Sequence, residues 1–127
     1  DPPMNLVEAR ATPNGVTLAS GMSLAVALPD GTTKAGTEAL TVGIRASALR
    51  AQRRDGDLSL PGVVELAEIS GSDTFVHAAT AVGEVVAQLT GVHYFDLGAA
   101  ITLHLDPAQA YVFDAGGDLL LAPERKH

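Results

Sequence analysis

Cysteine and tryptophan are absent from the 127 residues. Without Cys there is neither a disulfide nor a thiolate metal site, and the chain is compatible with a reducing compartment. Aromatic residues make up only 4% of it, two Tyr and three Phe. The core is therefore expected from Val, Leu, Ile and Ala, and a barrel that stacks sugar rings or bases has too few platforms to draw on. Cations are scarce as well: eight Lys and Arg stand against fifteen Asp and Glu, for a net charge of -7. Phosphate backbones need clustered cations, so nucleic acid is excluded as a partner. The one basic cluster, Arg50, Arg53 and Arg54, is followed at once by Asp55 and Asp57 and reads as a solvated loop. No run of about 18 apolar residues exists, which excludes a membrane-spanning helix. The opening Asp1-Pro2-Pro3-Met4 has no basic region followed by an apolar stretch, so it is no signal peptide. It also lacks an initiator Met and reads as the start of a fragment or processed product.

Catalytic signatures are missing too. There is no Gly-x-x-x-x-Gly-Lys-Ser/Thr phosphate loop, no Gly-x-Gly-x-x-Gly after a strand and no Gly-x-Ser-x-Gly elbow. The four histidines, His77, His93, His104 and His127, are scattered, with no His-x-x-x-His pair and no recognisable triad context. No catalytic, cofactor or metal residue is assigned. His77, two positions from Phe75 on a strand, reads as a partly buried structural histidine. Glu65, Glu68 and Asp73 flank one strand–turn–strand and read as a polar sheet face rather than as an acid/base pair in a cleft.

What is present is alternation. Large apolar residues fall on every second position over 22–28, the period of a half-buried strand. Pro29-Asp30-Gly31 then supplies turn chemistry. Further strands are expected over 39–44, 62–69, 74–78, 84–89, 101–105, 111–113 and 118–121, with a turn at Gly71-Ser72-Asp73 and at most a helical turn or two within 46–54. In 101–105, Ile101, Leu103 and Leu105 share one face and Thr102 and His104 the other. Phe75 and Phe113 are expected as core anchors, and Gly43 inside its strand suggests a bulge or close backbone approach. Thirteen Gly and seven Pro punctuate the chain at short intervals. Many short strands with frequent turns imply an all-β barrel or sandwich in one domain. The chain also resembles itself: shifted by 61 residues, 22–28 falls on 83–89 and Thr41–Arg45 on Thr102–Asp106, with Gly36 in one connecting loop and Gly91 and Gly98 in the other. Two copies imply a pseudo-symmetric domain, not a solenoid.

Four blocks of residues, in order along nearly the whole chain, carry a family resemblance. They are Pro2-Pro3-Met4-Asn5-Leu6; Thr41-Val42-Gly43-Ile44-Arg45; Gly62-Val63-Val64-Glu65-Leu66 through Gly71-Ser72-Asp73-Thr74-Phe75-Val76-His77; and Asp106-Pro107 with Tyr111-Val112-Phe113-Asp114-Ala115-Gly116-Gly117. The pattern resembles the C-terminal regulatory extension of ATP-binding subunits of carbohydrate and glycerol-3-phosphate ABC importers, the transport-associated OB or TOBE domain. Three departures stand out. Ala46-Ser47 replaces the family's Pro-Glu, Asp73 replaces a Glu, and Tyr111 stands where His is common.

The resemblance implies an OB-like TOBE β-barrel built from two interleaved β motifs, with residues 1–127 as a single domain and the nucleotide-binding domain upstream of it. It implies a regulatory and dimerisation role without catalysis, since ATP and magnesium bind the upstream domain. It also implies a cytoplasmic location at the inner membrane face, without insertion into the membrane. The partners implied are the parent's own nucleotide-binding domain, a second copy of the subunit and a cytoplasmic regulatory protein. Candidate interface residues are Arg45, which could pair with a carboxylate across a subunit interface or within its own domain, and Val92, Tyr94 and Phe95. The last three belong, with Leu97, to a stretch too irregular for a strand and too apolar for a free loop, which could instead fold back onto the core. The alternative is a small-ligand module of oxyanion-binding type, against which the net charge argues.

Overall fold

The computed structural model describes residues 4–29 and 39–123. They form strands β1 (Asn5–Thr12), β2 (Gly15–Leu18), β3 (Ser23–Leu24), β4 (Ala39–Ile44), β5 (Leu58–Ser70), β6 (Asp73–Thr80), β7 (Gly83–Thr90), β8 (Ala100–Leu105), β9 (Tyr111–Phe113) and β10 (Leu119–Leu121). Single 3-10 turns at Ala46–Ala48 and Pro107–Gln109 are the only helical elements among the described residues. No helix there is long and apolar enough to cross a membrane. The all-β class read from alternation holds. The chain divides into two compact units, one built from residues 6–44 and 107 onward, the other from 45–106 with the residues up to Asn5.

The first unit carries a six-stranded sheet in the order β10-β9-β4-β1-β2-β3. Its core is aliphatic: Val7, Ala9, Val16, Leu24, Leu40, Val42 and Val112 are buried. The β1–β2 hairpin turns at Pro13-Asn14 and re-enters at Gly15 with φ of +143°. A Cβ there would strike the Leu24 carbonyl and lie 2.8 Å from the Val26 nitrogen, so the site admits only Gly. Of the strand expected over 22–28, only Ser23 and Leu24 join the ladder, to β2. The alternation of burial nevertheless runs on to Leu28, with 22, 24, 26 and 28 inward and 23, 25 and 27 exposed. Side-chain period thus extends further than backbone pairing. The turn expected from Pro29 through Gly31, and Gly36, fall largely outside the described residues.

The second unit carries a four-stranded antiparallel sheet in the order β7-β6-β5-β8. Leu60, Val64, Val76, Ala78, Val85, Ala87, Leu89 and Leu103 are buried. β5 is twice as long as β8 and bulges between Val64 and Leu66, where Glu65 is left without a β6 partner. β7 is an outer strand, and the Asn5 side chain occupies its free edge. The Asn5 amide donates to the Val86 carbonyl at 2.9 Å and accepts from the Val86 N–H at 2.8 Å, as the backbone of one more strand residue does.

The two units repeat a topology at the 61-residue interval. β4 (Ala39–Ile44) recurs as β8 (Ala100–Leu105), and the turn Ala46–Ala48 as Pro107–Gln109. The order β3-β2-β1-β4 in one sheet answers β7-β6-β5-β8 in the other. After its 3-10 turn, each repeat sends a segment into the other repeat's sheet: Tyr111 pairs with Gly43, and Arg50 forms an isolated bridge with His104. The expectation of two interleaved β motifs is met residue for residue at these pairs.

One expectation is corrected. Phe75 and Phe113 are half-buried and do not anchor the cores. Strand neighbours point to opposite faces, and the inward slots belong to Val76 and Thr74 on β6 and to Val112 on β9, all fully buried. Phe113 lies instead on the other face of β9 with Tyr111, their rings stacked at a centroid distance of 6.4 Å.

Candidate functional site

The segment after the first 3-10 turn, expected as a solvated loop, is solvated only in part. Arg53, Arg54 and Asp55 are exposed, but the half-buried Arg50 forms an ion pair with the buried Asp57. Arg50 Nη2 donates to both Asp57 carboxylate oxygens at 2.8 and 2.7 Å, and Nη1 donates to the Gln52 carbonyl at 2.9 Å. The Arg54 N–H adds a third bond to Asp57 at 2.8 Å. Burial by itself pushes the Asp57 pKa up. The Arg54 N–H and the Arg50 guanidinium together outweigh burial and, with a smaller contribution from His104, hold the carboxyl below the usual range. Arg50 is thus fixed at both ends, its backbone exchanging hydrogen bonds with His104 at 2.9 and 2.7 Å and its guanidinium clamping Asp57. His104 also meets Ser59 across the β5–β8 register, Nδ1 to Oγ at 2.9 Å. This is a cross-strand pair of the kind any antiparallel sheet makes.

Beside this clamp lies a cleft of about 340 Å³, walled by Ser47, Leu49, Arg50, Ala51, Gln52 and Arg54 on one side and by Gln88, Leu89, Thr90 and His93 on the other. Its lining includes two arginines and a histidine and no Asp or Glu. Ser59 and His104 are not part of it, so the cleft does not bring their pair to a bound molecule. What the lining can do is hold a small polar or anionic group by hydrogen bonds.

The loop between β7 and β8 holds three of the four candidate interface residues, and it is pinned at both ends. Thr74, fully buried, donates its hydroxyl to the Gly91 carbonyl at 2.8 Å and accepts from the His93 N–H at 2.9 Å. At the far end the Gly98 N–H donates to the Val64 carbonyl at 2.7 Å, and the Val64 N–H donates to Ala99 at 2.9 Å. Between the anchors, Tyr94 is 87% exposed, Leu97 69% and Val92 48%. Phe95 is half-buried, its ring 6.2 Å from that of His93. The apolar side chains of this loop, Phe95 apart, therefore do not fold back onto the core. Arg45 stands elsewhere, exposed at the head of the first 3-10 turn in extended backbone. Of the remaining residues singled out, His77 is half-buried on the face of Phe75 as expected, 3.8 Å from Glu68. Glu65 and Glu68 are exposed, and Asp73 accepts from Gln88 at 2.8 Å.

Reading the sequence missed Asp57, Thr74 and the job of Asn5. Opposite charges seven residues apart across a Gly-containing turn were a signal for the first. The other two are partners across 17 and 81 residues, which no local pattern displays.

Residues 42–113 match the family model of the TOBE domain. The sn-glycerol-3-phosphate import ATP-binding protein UgpC of Chromobacterium violaceum is 33% identical over 115 residues, 90% of this chain and 30% of the relative. That of Pectobacterium atrosepticum is 27% identical over 118 residues, 93% of this chain and 33% of the relative. The chain thus spans about a third of the length of these curated relatives. Among solved structures, the cytoplasmic molybdate-binding protein ModG, crystallised with molybdate bound, superposes with a TM-score of 0.68 at 15% identity, covering 85% of this chain and 94% of ModG. At that identity the likeness shows the fold.

Proposed function

The chain belongs to the TOBE domain family, and on that premise we propose that it is the regulatory and dimerisation extension of the ATP-binding subunit of an importer for glycerol-3-phosphate or sugars. The observation that carries the reading is alignment of 90% or more of the chain with one third of glycerol-3-phosphate importer ATPase subunits. ATP and magnesium then belong to the nucleotide-binding domain of the parent protein, at the cytoplasmic face of the membrane. In this reading a second copy of the subunit and a cytoplasmic regulatory protein are the partners of the extension. Val92, Tyr94 and Phe95, with Arg45, contribute to the contact between copies. The support is an apolar loop held rigid by Thr74 and Val64 with Tyr94 almost wholly in solvent, since large exposed apolar groups on a fixed frame mark contact surfaces.

The test is a graft. This chain replaces the C-terminal third of the Chromobacterium violaceum relative, and glycerol-3-phosphate uptake is measured in cells. Retained uptake is expected; a folded chimera that hydrolyses ATP without uptake would remove the reading. Light scattering of the same chimera checks the dimer. A Tyr94→Asp, Phe95→Asp variant should lower the dimer fraction, and an unchanged mass would take those residues out of the contact.

A second reading, capture of a small oxyanion, has one observation in its favour: the cleft with Arg50, Arg54 and His93 in its lining and no carboxylate. Calorimetric titration with molybdate and with phosphate separates the two. Saturable heat that disappears in Arg54→Ala supports anion capture, and its absence leaves the regulatory reading alone.

A further inference from the structure

The second unit has an unpaired stretch of backbone. β5 runs thirteen residues, yet its register with β8 stops at Val63, and the β7–β8 loop continues the pairing only to Val64. From Leu66 to Ser70, β5 is paired with β6 on one side, and among the described residues no backbone pairs with the other. Strand alternation leaves every second N–H and C=O of that stretch turned outward, a template for one more strand. The stretch itself carries exposed apolar side chains, Leu66 at 44% and Ile69 at 45%. Ile69 lies opposite Thr74, on the face that elsewhere forms the core, yet it is half in water.

Charge says what fits there. Between Asp55 and Pro123 the chain has ten Asp and Glu and not one Lys or Arg. The four strands of this sheet therefore carry side-chain carboxylates and no Lys or Arg, the arginines of the cleft lying beside β7 at the opposite edge. Glu65 at the bulge and the exposed Glu68, 3.8 Å from His77 of β6, put two carboxylates on the strand that bears the open edge, with Asp96 in the β7–β8 loop. Across the edge the residues alternate. Glu68 is on one face with Leu66, and Ile69 is on the other with Ala67. A second copy pairing antiparallel along this edge would bring the carboxylates of Glu65 and Glu68 near those of the other copy, and like charges across strands repel. Anionic lipid and nucleic acid are repelled for the same reason.

We propose that the outer edge of β5 from Leu66 to Ser70 receives an extended, basic segment of a partner protein, in which Lys or Arg alternates with apolar residues, by strand addition. Main-chain hydrogen bonds supply the register, and the alternation supplies the choice of partner: cations meet Glu68 on one face and Glu65 at the bulge, while apolar side chains cover Ile69 on the other face. The stretch Leu66 to Ser70 shares no residue with Val92, Tyr94, Phe95 and Arg45, the positions assigned to contact between copies, so each fails or stands by itself.

The experiment uses the 127-residue chain and a synthetic peptide, Lys-Val-Lys-Val-Lys-Val-Lys, followed by fluorescence anisotropy and amide hydrogen exchange. Saturable binding is expected, with slowed exchange confined to 66–70 and its surroundings. The analogue Lys-Val-Lys-Pro-Lys-Val-Lys carries the same charge but lacks the central backbone N–H of a ladder, and it should bind at least about tenfold more weakly. A Glu65→Lys, Glu68→Lys variant, altered only at exposed positions, should lose at least about tenfold in affinity for the first peptide. Equal binding of both peptides would reduce the effect to charge attraction and overturn strand addition. So would binding unchanged by the double variant, or no saturation by about 1 mM. A doubled mass without peptide that Ile69→Lys returns to monomer would assign the edge to a second copy and overturn the proposal as well.

Discussion

Asp57 shows how a single residue ties a local turn to long-range packing. Its carboxylate takes bonds from Arg50 and Arg54 while buried. A carboxyl whose folded pKa lies below its unfolded value stabilises the native state above the unfolded pKa, near 3.9, and loses that contribution as pH falls through the folded pKa. We therefore expect urea midpoints to fall as the pH drops below about 4, and Asp57→Asn to be less stable at pH 7 with a flatter acid limb. Melts at several pH values check this; parallel curves for the two proteins would detach Asp57 from the acid transition. Core truncations separate the cores from the aromatics. Leu103, fully buried on β8, should cost roughly 2–5 kcal/mol as Leu103→Ala. Phe75→Ala, at a half-buried site, should cost clearly less in the same denaturant melts, though Phe is the larger side chain. Phe75 is also where reading from residues fell short. Periodicity shows which residues share a face but not which face is inward, and in a strand mixing large aromatics with Val and Ala the rings were the misleading cue.

At the scale of elements, the β7–β8 loop depends on one hydroxyl. Thr74 satisfies both the Gly91 carbonyl and the His93 N–H from a fully buried position. Thr74→Val keeps the shape and leaves both backbone groups without that partner. A loss of about 1–3 kcal/mol is expected, together with faster exchange of the His93 amide. Unchanged exchange would show that the loop is held from its Val64 end alone. The strands were legible because their side-chain periods are local: β4 and β9 match the expected limits to the residue, and β6, β7 and β8 extend them by one or two residues at an end. β1 and β2 went unread, since small residues such as Ala9 and Ala11 on β1 leave an apolar face without large side chains to mark it. β3 failed in the opposite sense, because alternation continued where its ladder partner had ended.

Over the whole molecule, each repeat completes the other's sheet. Val112 in β9 lies opposite Val42 in β4, both fully buried, although 70 residues separate them. A chain ending at Asp106 loses the second 3-10 turn, β9 and β10, and leaves β4 as an open edge with a buried face uncovered. We expect its β4 amides to lose protection in hydrogen exchange while those of the β5–β6 hairpin keep theirs. Protection of β4 equal to that of the full chain would mean that β9 adds nothing to the first sheet. The distribution of charge belongs to this scale too. The absence of Lys and Arg from Asp55 to Pro123 is plain in the sequence, but it acquires meaning only once those residues are seen to include an entire sheet with an open edge.

The all-β class, the position of most strands, the 61-residue repeat and the family were legible along the chain, because alternation, turn chemistry and motif order are properties of neighbouring residues. Four features come from packing alone: Arg50 clamps a buried Asp57, Asn5 pairs with the edge of β7 at Val86, Thr74 pins an exposed apolar loop, and β5 outruns its partner. Each of these depends on register between strands. Shifting register by one residue sends every side chain to the other face, and no local pattern records which strand lies beside which.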